Sequence, residues 1–346
     1  MKIFKTTVLT LALLAGSLTY AQDEVAEETA VEATEEKPSF SVSGSIDTYY
    51  RSNDYAPNTS FANLPGYALG MANIVLSYEG EKSGFVADLV YGPRGADAVF
   101  NSAGSSNIVN QLYAYYNVND KLTLTLGNFN TFLGYEVISP VANFNYSTSY
   151  MFSYGPFSHT GFKADYVVSD NVSIMVAVMN ATDETEADYS DASTFGAQLG
   201  LYGQYINFLS GDDYTQFDFT GGFNISEKLF LGINATTTEL AADASFSGFA
   251  LYPQYTLSDS FSIGLRGEIF SETNGGAGAL YSGALSGSTE DADNTSFTIT
   301  GSYTKGNFIL KPEFRIDTAS ANIYSKNATD FTDSLASFVV AAIYAF

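Results

Sequence analysis

Charged side chains at alternate positions are the feature of this sequence most able to do chemistry. Arg266 and Glu268 stand two residues apart, and the segment 311–317 repeats that spacing with both signs of charge. Because side chains alternate between the two faces of a β-strand, residues at this spacing share one face. The residues assigned in this way to one common, inward face are Asp47, Arg51, Asp88, Lys163, Asp165, Arg266, Glu268, Lys311, Glu313, Arg315 and Asp317.

Two interpretations of these charges remain open. If they line a water-filled path, opposed charges set up a transverse field that favours polar and charged solutes over apolar ones. If they pair with one another, they neutralise their charges and brace the wall that carries them. Both interpretations use the same residues, so the spacing alone does not choose between them.

The residue types needed for catalysis or metal binding are scarce. The chain has one histidine, His159, which stands beside Ser158 and Thr160, and it has no cysteine. A zinc site or an acid–base pair needs several such groups, so we expect no enzymatic activity, no metal and no cofactor. The formal net charge of −24 argues against nucleic acid as a partner.

The elements that must position the charges are β-strands. Leu122, Leu124 and Leu126 alternate with Thr123 and Thr125, and the same period of two recurs along most of the chain. A strand that is apolar on one face and polar on the other has this pattern. The pattern would also suit a soluble sandwich with its apolar face inward, so the connections have to decide.

The connections alternate between short turns, such as the one at Gly80, and long polar links. Short turns on one side and long loops on the other are typical of membrane barrels. We therefore predict an all-β fold, a transmembrane antiparallel up-and-down β-barrel of about sixteen strands. The short strand expected at 203–209 is the weak point, so 14 or 18 strands are the alternatives.

The chain ends complete the domain organisation. Lys2 and Lys5 precede a short apolar run that ends in small residues at Ala21, so residues 1–21 are expected to be a cleaved signal peptide. Residues 22–38 are acidic and poor in apolar residues, and we interpret them as a disordered periplasmic spacer. The barrel is expected to span 39–346. Its last strand carries an alternating, partly aromatic outer face that resembles a barrel-insertion signal, with the main residues Phe338, Tyr344 and Phe346.

The link at 131–157 differs from the other long links because it is rich in aromatic residues. Glu136 is its only charged residue. Leaving so much apolar surface in water is costly, so we expect this third outer loop to fold into the barrel and narrow it. An extracellular cap or a subunit contact is the alternative. In the inward arrangement the residues facing the solute path would be Glu136, Asn143, Asn145 and Ser147.

Acidic residues dominate the other long links, whereas lysines lie on the short turns. The acidic residues include Asp183, Glu184, Glu186, Asp188, Asp191, Asp212, Asp213, Glu290, Asp291, Asp293, Asp330 and Asp333, and the turn lysines are Lys82, Lys121, Lys228 and Lys305. Cations should be concentrated at the acidic mouth. A solvated acidic surface, or divalent-ion bridging to neighbouring lipopolysaccharide, is the alternative.

The segment 40–346 resembles the β-barrel porin-2 (OmpL-like) family. The resemblance rests on Gly127-Asn128-Phe129, Tyr154-Gly155-Pro156-Phe157-Ser158-His159-Thr160-Gly161, Ala197-Gln198-Leu199-Gly200, Leu265-Arg266-Gly267-Glu268 and Leu310-Lys311-Pro312-Glu313-Phe314-Arg315. It implies passive diffusion of small hydrophilic solutes across the outer membrane of a Gram-negative bacterium. A surface-binding or adhesin barrel, or an outer-membrane hydrolase, are the rival functions.

The expected partners follow from this location. They are outer-membrane lipid and lipopolysaccharide, the barrel-insertion machinery and small hydrophilic solutes. A homotrimer would be familiar for sixteen-stranded porins, although the sequence defines no interface.

Overall fold

The computed structural model describes residues 38–102, 104–186, 193–274, 291–327 and 329–346. Within these ranges the chain is mostly β-strand. The strands and α-helices are β1 (Ser39–Arg51), β2 (Gly66–Glu79), β3 (Ser83–Tyr91), α1 (Pro93–Ala98), β4 (Val109–Asn119), β5 (Leu122–Asn130), α2 (Tyr150–Tyr154), β6 (Ser158–Ser169), β7 (Val172–Asn180), β8 (Ser193–Leu201), β9 (Gln204–Ser210), β10 (Tyr214–Asn224), β11 (Leu229–Leu240), β12 (Ser245–Ser258), β13 (Phe261–Thr273), β14 (Ala292–Lys305), β15 (Phe308–Ala319), β16 (Tyr324–Ser325), β17 (Phe331–Thr332) and β18 (Ser334–Ala345).

Sixteen of these strands form one closed barrel in which every neighbouring pair is antiparallel. The barrel closes between β1 and β18, in a register that pairs Ser45 with Ala345 and Arg51 with Val339. Beyond the last pair, Gly44 and Phe346 exchange two backbone hydrogen bonds of 3.0 Å each. The predicted sixteen-stranded antiparallel barrel is therefore confirmed.

The uncertain pair of strands near residue 203 is resolved as two separate strands. Tyr202 and Gly203 join β8 to β9 and both have positive φ, 52° and 78°. A two-residue turn with positive φ at both positions matches the twist of the strands that it joins. The tight turn keeps the strand count even, because β8 and β9 pair along their length.

Exposure alternates along the strands, and it defines two faces of the wall. On β1, Ile46 is 54% exposed whereas Asp47 is 4% exposed. Large apolar side chains occupy the exposed face, which suits contact with lipid. We call this the outer face, and the opposite face the inner face. Phe338, Tyr344 and Phe346 of the insertion signal are all exposed on the outer face.

Long connections carry the remaining structure. Helix α1 lies in the second outer loop, α2 lies in the third, and β16 pairs with β17 as a small hairpin in the last. Periodicity did not predict these short elements. No helix among the described residues is long and apolar enough to cross a membrane. The expected signal peptide (1–21), almost all of the acidic spacer (22–38) and the acidic residues Asp188, Asp191 and Glu290 lie outside the described residues.

Candidate functional site: the inner face and the third outer loop

The third outer loop, residues 131–157, contacts the inner faces of β1 and of β10 to β15. Two carboxylates of the wall bind its backbone. Glu313 on β15 accepts hydrogen bonds from the N–H groups of Tyr146, at 2.7 Å, and Ser147, at 3.0 Å. Glu268 on β13 does the same for Tyr150, at 3.0 Å, and Met151, at 2.9 Å. Each carboxylate therefore satisfies two consecutive donors of a buried segment, as buried polar backbone requires.

Two guanidinium groups bind the carbonyl groups of the same segment. Arg266 donates to the carbonyl oxygen of Ser147 at 2.6 Å and forms an ion pair of 2.7 Å with Glu136. Arg315 donates to the carbonyl oxygen of Thr148 at 2.8 Å and is held by Asp317, which accepts from both its Nε and its Nη2. Arg266 and Glu268 lie on the same face of β13. That face therefore offers the loop a hydrogen-bond donor and, two residues later, a hydrogen-bond acceptor.

The predicted charges on β1 and β15 continue this arrangement. Lys311 donates to the carbonyl oxygen of Pro140 at 2.8 Å and also to that of Asn143. Asp47 accepts from the Tyr146 hydroxyl at 2.5 Å. Arg51 instead binds the first outer loop (52–65), where it donates to the carbonyl oxygens of Asn53, Tyr55 and Asn63. All of these charged side chains are buried beneath loops.

The residues expected to face a solute path are buried within the loop. Glu136 also accepts from the backbone N–H and the hydroxyl of Ser149. Asn143 exchanges two hydrogen bonds with the backbone of Val137, and Asn145 donates to Thr300 Oγ1 on β14 at 2.7 Å. The carbonyl oxygen of Ser147 accepts the hydrogen bond from Arg266 described above. Their polar groups are directed to the loop itself and to the wall.

Glycines on the inner face make room for the aromatic side chains of the loop. A Cβ at Gly232 on β11 would lie 2.4 Å from the Tyr135 ring, and one at Gly264 on β13 would lie 2.4 Å from the Phe144 ring. Tyr135 also stacks on Tyr252 of β12 with 4.2 Å between the ring centroids. Sequence reasoning missed these glycines, although a glycine at an inward position of a strand is a signal of close approach.

The wall on the other side of the barrel carries fewer loop contacts. Lys163 and Asp165 on β6 form an ion pair of 2.7 Å, and their side chains are 24% and 40% exposed. Asp88 on β3 is buried and accepts from the amides of Asn73 and Asn110. Among the charges predicted on the inner face, the partly exposed pair Lys163 and Asp165 therefore lies outside the contacts that hold the third outer loop.

Two features of the inner face were not predicted. Asp218 on β10 accepts from the Gly134 backbone at 3.0 Å and from Asn207 and Asn234, so it is another wall carboxylate that holds the loop. It was visible in the sequence as one charged residue in an alternating strand.

An apolar cluster also lies on this face, made of Phe129, Leu133, Met175, Ala177, Met179 and Leu209. Strand β7 is apolar at both phases of its alternation, so that its inner face joins this cluster while its outer face carries the exposed Ile174, Val176 and Val178.

His159 is fully buried beside this apolar cluster. Its Nε2 lies 2.9 Å from Thr131 Oγ1, and the rings of Phe129 and Phe132 pack against it at 6.2 and 5.2 Å. The arrangement suits a packed histidine at the base of the loop. Across the residues that the structure describes, no three side chains of the metal-binding types are grouped so as to hold an ion.

Comparison with known proteins agrees with this geometry. A family model described as putative beta-barrel porin-2, OmpL-like, matches residues 39–346. No curated protein sequence matches the chain.

Solved structures match the fold at low identity. OmpT of Vibrio cholerae is 10% identical, with a TM-score of 0.55 over 90% of this chain and 100% of that one. The anion-selective porin of Comamonas acidovorans is 9% identical, with a TM-score of 0.56 over 90% and 100%. A variant of the Rh. blastica porin is 12% identical, with a TM-score of 0.50 over 89% and 100%. These similarities establish a shared barrel fold.

Proposed function

Because the chain belongs to the putative β-barrel porin-2 (OmpL-like) family, we propose that it lets small hydrophilic solutes diffuse passively across the outer membrane of a Gram-negative bacterium. In this proposal a cleaved signal peptide exports the chain, and the barrel-insertion machinery places it among lipid and lipopolysaccharide. We include no enzymatic step, since the function needs only a water-filled path.

The observation that carries the proposal is a closed sixteen-stranded barrel with an apolar outer face and a polar inner face. A barrel of about sixteen strands is wide enough for an aqueous channel, whereas one of about eight is filled by its own side chains. The third outer loop would narrow the path by occupying the side of β10 to β15. Solutes would then pass along the side of β4 to β6, where Lys163 and Asp165 are partly exposed.

Under this proposal the inward charges have two roles. Those on β1, β13 and β15 brace the first and third outer loops, and thereby fix the shape of the path. Lys163 and Asp165 are the predicted pair in a position to act on a solute directly, through the field between their charges. Asp88 would support the wall of the same path from β3.

Ion preference and assembly are also part of the proposal. The acidic outer loops favour cations at the mouth, and the anion-selective neighbour does not argue against this, because at 9% identity the likeness concerns the fold alone. One OmpT structure is described as a trimer form, and a homotrimer is the assembly that we propose for this chain.

Conductance in a planar lipid bilayer tests the function. Purified, folded protein should produce stepwise increases in current at a constant voltage, and a heat-denatured sample at the same concentration should not. A folded, membrane-inserted barrel that gives no current steps and admits no small sugar in a liposome-swelling assay would refute the proposal.

One observation favours a second candidate, a barrel that binds a partner at its surface and has a closed pore. The first and third outer loops are joined by hydrogen bonds, from the Tyr150 hydroxyl to the Pro57 carbonyl oxygen at 2.7 Å and from the Thr148 hydroxyl to that of Ser60 at 2.6 Å. Such joined loops could form a rigid recognition surface. Absence of conductance together with a tight loop-dependent partner would support this candidate.

A further inference from the structure

The inner face of the barrel is accessible on the side of the short turns. Toward the long outer loops the inward side chains are buried, whereas closer to the short turns many of them are partly exposed. Because these side chains point into the barrel, the space that exposes them is its interior, and we call this space the vestibule. Hydroxyl and amide groups predominate along it, as at Ser77, Asn117, Thr123, Gln198 and Gln254.

The vestibule has little net charge of its own. The inward charges on β1, β13 and β15 are buried beneath the outer loops, whereas Lys163 and Asp165 are partly exposed and neutralise each other across 2.7 Å. Glu79 is exposed at the rim, where β2 ends. A dissolved ion would have to compete with one member of the pair for the other. The vestibule therefore favours a neutral polar solute over an ion.

Two tyrosine rings lie against the wall of the vestibule, each beside a glycine of the neighbouring strand. A Cβ at Gly84 on β3 would lie 2.4 Å from the hydroxyl oxygen of Tyr115 and 2.5 Å from its Cζ. A Cβ at Gly200 on β8 would lie 3.2 Å from Cε1 of Tyr205. Both tyrosines are partly exposed. Since glycine lets a ring approach the next strand closely, one face of each ring packs on the wall and the other is turned to the vestibule.

Tyr115 and the ion pair lie side by side on this wall. Tyr115, Thr125 and Lys163 are directly opposite one another on β4, β5 and β6. At a strand spacing of about 4.8 Å, the backbones of Tyr115 and Lys163 are about 10 Å apart, a span that a sugar of one or two rings can bridge.

The ion pair retains hydrogen-bonding capacity. In the part of the chain that the structure describes, its bond uses one of the three donors of the Lys163 ammonium group and Oδ2 of Asp165. The other donors and Oδ1 are therefore open to the hydroxyl groups of a solute.

A neutral sugar has the chemistry that fits these observations. The C–H face of a sugar ring packs on an aromatic ring. Each sugar hydroxyl both donates and accepts, so adjacent hydroxyls can bind the ammonium group and the carboxylate without separating them. A charged solute would instead have to disrupt the pair.

We propose that the vestibule selects neutral saccharides as the solutes of this barrel, and that Tyr115, Lys163 and Asp165 form the binding site. A sugar ring stacks on Tyr115, and its hydroxyls bind both members of the ion pair. This inference deepens the proposed diffusion function and rests on it for the passage of the sugar, whereas binding itself requires no conduction.

Isothermal titration calorimetry on the folded barrel in detergent tests the site with three matched sugars. D-glucose is neutral, D-glucuronate carries a carboxylate and D-glucosamine carries an ammonium group. At about 1 M salt, where the Debye length is about 3 Å, exposed charges distant from the site are screened. D-glucose should then bind saturably, and more tightly than either charged sugar. Absence of saturable D-glucose binding, or tighter binding of a charged sugar, would overturn the proposal.

Substitutions at Tyr115 test the stacking. Tyr115→Ala removes the ring and should weaken D-glucose binding several-fold, and Tyr115→Phe should recover most of this loss because it returns the ring face. Tyr116→Ala is the matched control, because Tyr116 is 49% exposed on the outer face of the same strand. Equal effects of Tyr115→Ala and Tyr116→Ala, in barrels with the heat-modifiable mobility of the folded form, would contradict the site.

Removing one charge of the pair should change the preferred sugar in the direction set by the charge that remains. Asp165→Asn leaves the ammonium group of Lys163 and should strengthen binding of D-glucuronate relative to D-glucose. Lys163→Gln leaves the carboxylate of Asp165 and should do the same for D-glucosamine. Both side chains are partly exposed, so both variants should fold. Sugar preferences that remain those of the parent in both variants would refute the role of the pair.

The conductance measurement separates this inference from the proposed function. A barrel that binds D-glucose but gives no current steps would refute diffusion and support the site. A conducting barrel without saturable D-glucose binding would refute the site alone.

Discussion

Arg266 on β13 and Glu136 in the third outer loop form an ion pair of 2.7 Å in which neither side chain is more than 3% exposed. Removing one member of such a pair leaves a buried charge without its partner, at a cost of about 3–5 kcal/mol. We therefore expect Glu136→Gln to lower the urea midpoint of unfolding. Glu81→Gln, on an exposed turn, is the matched control. Adding Arg266→Met to Glu136→Gln should cost less than the sum of the single changes, and strict additivity would contradict the coupling.

Shortening the third outer loop between Tyr135 and Tyr150 should raise the single-channel conductance. The loop covers the inner faces of β13 and β15, and its removal exposes their charges to water inside the barrel, not to lipid. The barrel should therefore still fold. A correctly folded variant with the conductance of the parent would show that the loop does not narrow the path.

Deleting Phe346 should impair insertion into the membrane. Its backbone exchanges two hydrogen bonds with Gly44, which extend the closing pair of strands, and an unclosed edge is costly in lipid. The measurement is the fraction of heat-modifiable, membrane-inserted protein. Phe308→Ala, which removes a different outer-face aromatic residue, is the control and should insert almost normally. Normal insertion without Phe346 would refute the prediction.

The stability contributed by Asp183 should depend on pH. Asp183 accepts hydrogen bonds from the backbone of Phe157, at 2.5 Å, and Ser158, at 3.0 Å, at the end of the third outer loop. Burial raises the pKa of its carboxyl from 3.8 to about 6, against the opposing effect of the two hydrogen bonds. The folded state thus holds this proton more tightly than the unfolded state, and the resulting stability is complete below pH 4 and lost as the pH rises through 6.

Asp183→Asn should remove this pH dependence, because the amide does not titrate in this range. The urea midpoint of the parent, relative to that of the variant, should fall between pH 4 and pH 7. Asp120→Asn is the matched control. A parent and an Asp183→Asn variant with parallel pH profiles would contradict the raised pKa.

Cations should carry more of the current than anions at low salt. The reversal potential across a salt gradient measures this preference, which should fade as salt screens the acidic loops. Replacing the exposed Asp212 and Asp213 with Asn should reduce it, whereas Asp120→Asn on the opposite side should have a smaller effect. Anion preference of the parent protein at low salt would rule out the proposed role of the outer loops.

The barrel itself could be predicted from the sequence because its main determinant is local. Alternation over a few residues defines a strand and its two faces. It did not establish the turn at Tyr202 and Gly203, whose positive φ angles in the structure separate β8 from β9. The ends of strands were less certain. The sequence assigned Asp293 to a long link, because polar residues such as Asp293 and Asn294 are typical of loops, but it lies in strand β14, which begins at Ala292. Pairing with β13 and β15 extends the strand across these residues.

The partners of the inward charges could not be predicted, because they are distant in sequence. Alternation assigns Glu313 to the inner face but does not indicate that it binds the backbone at Tyr146 and Ser147, which lies 166 residues or more away. The same holds for the buried Arg94, which the sequence shows only as a residue of a long loop. Its contacts depend on how three loops pack together, and single-sequence patterns carry no signal for that.

Tyr146 also links the order of assembly to the final shape. Its hydroxyl binds Asp47 on β1, and its backbone N–H binds Glu313 on β15. Only β18 stands between these two strands in the wall. The third outer loop precedes β15 and β18 in the sequence. It can nevertheless complete both contacts only after β18 has paired with β1 and so placed β15 near β1. We therefore expect Tyr146 to dock late in biogenesis, when its two hydrogen bonds connect β1 to β15 across the seam by which the barrel closes.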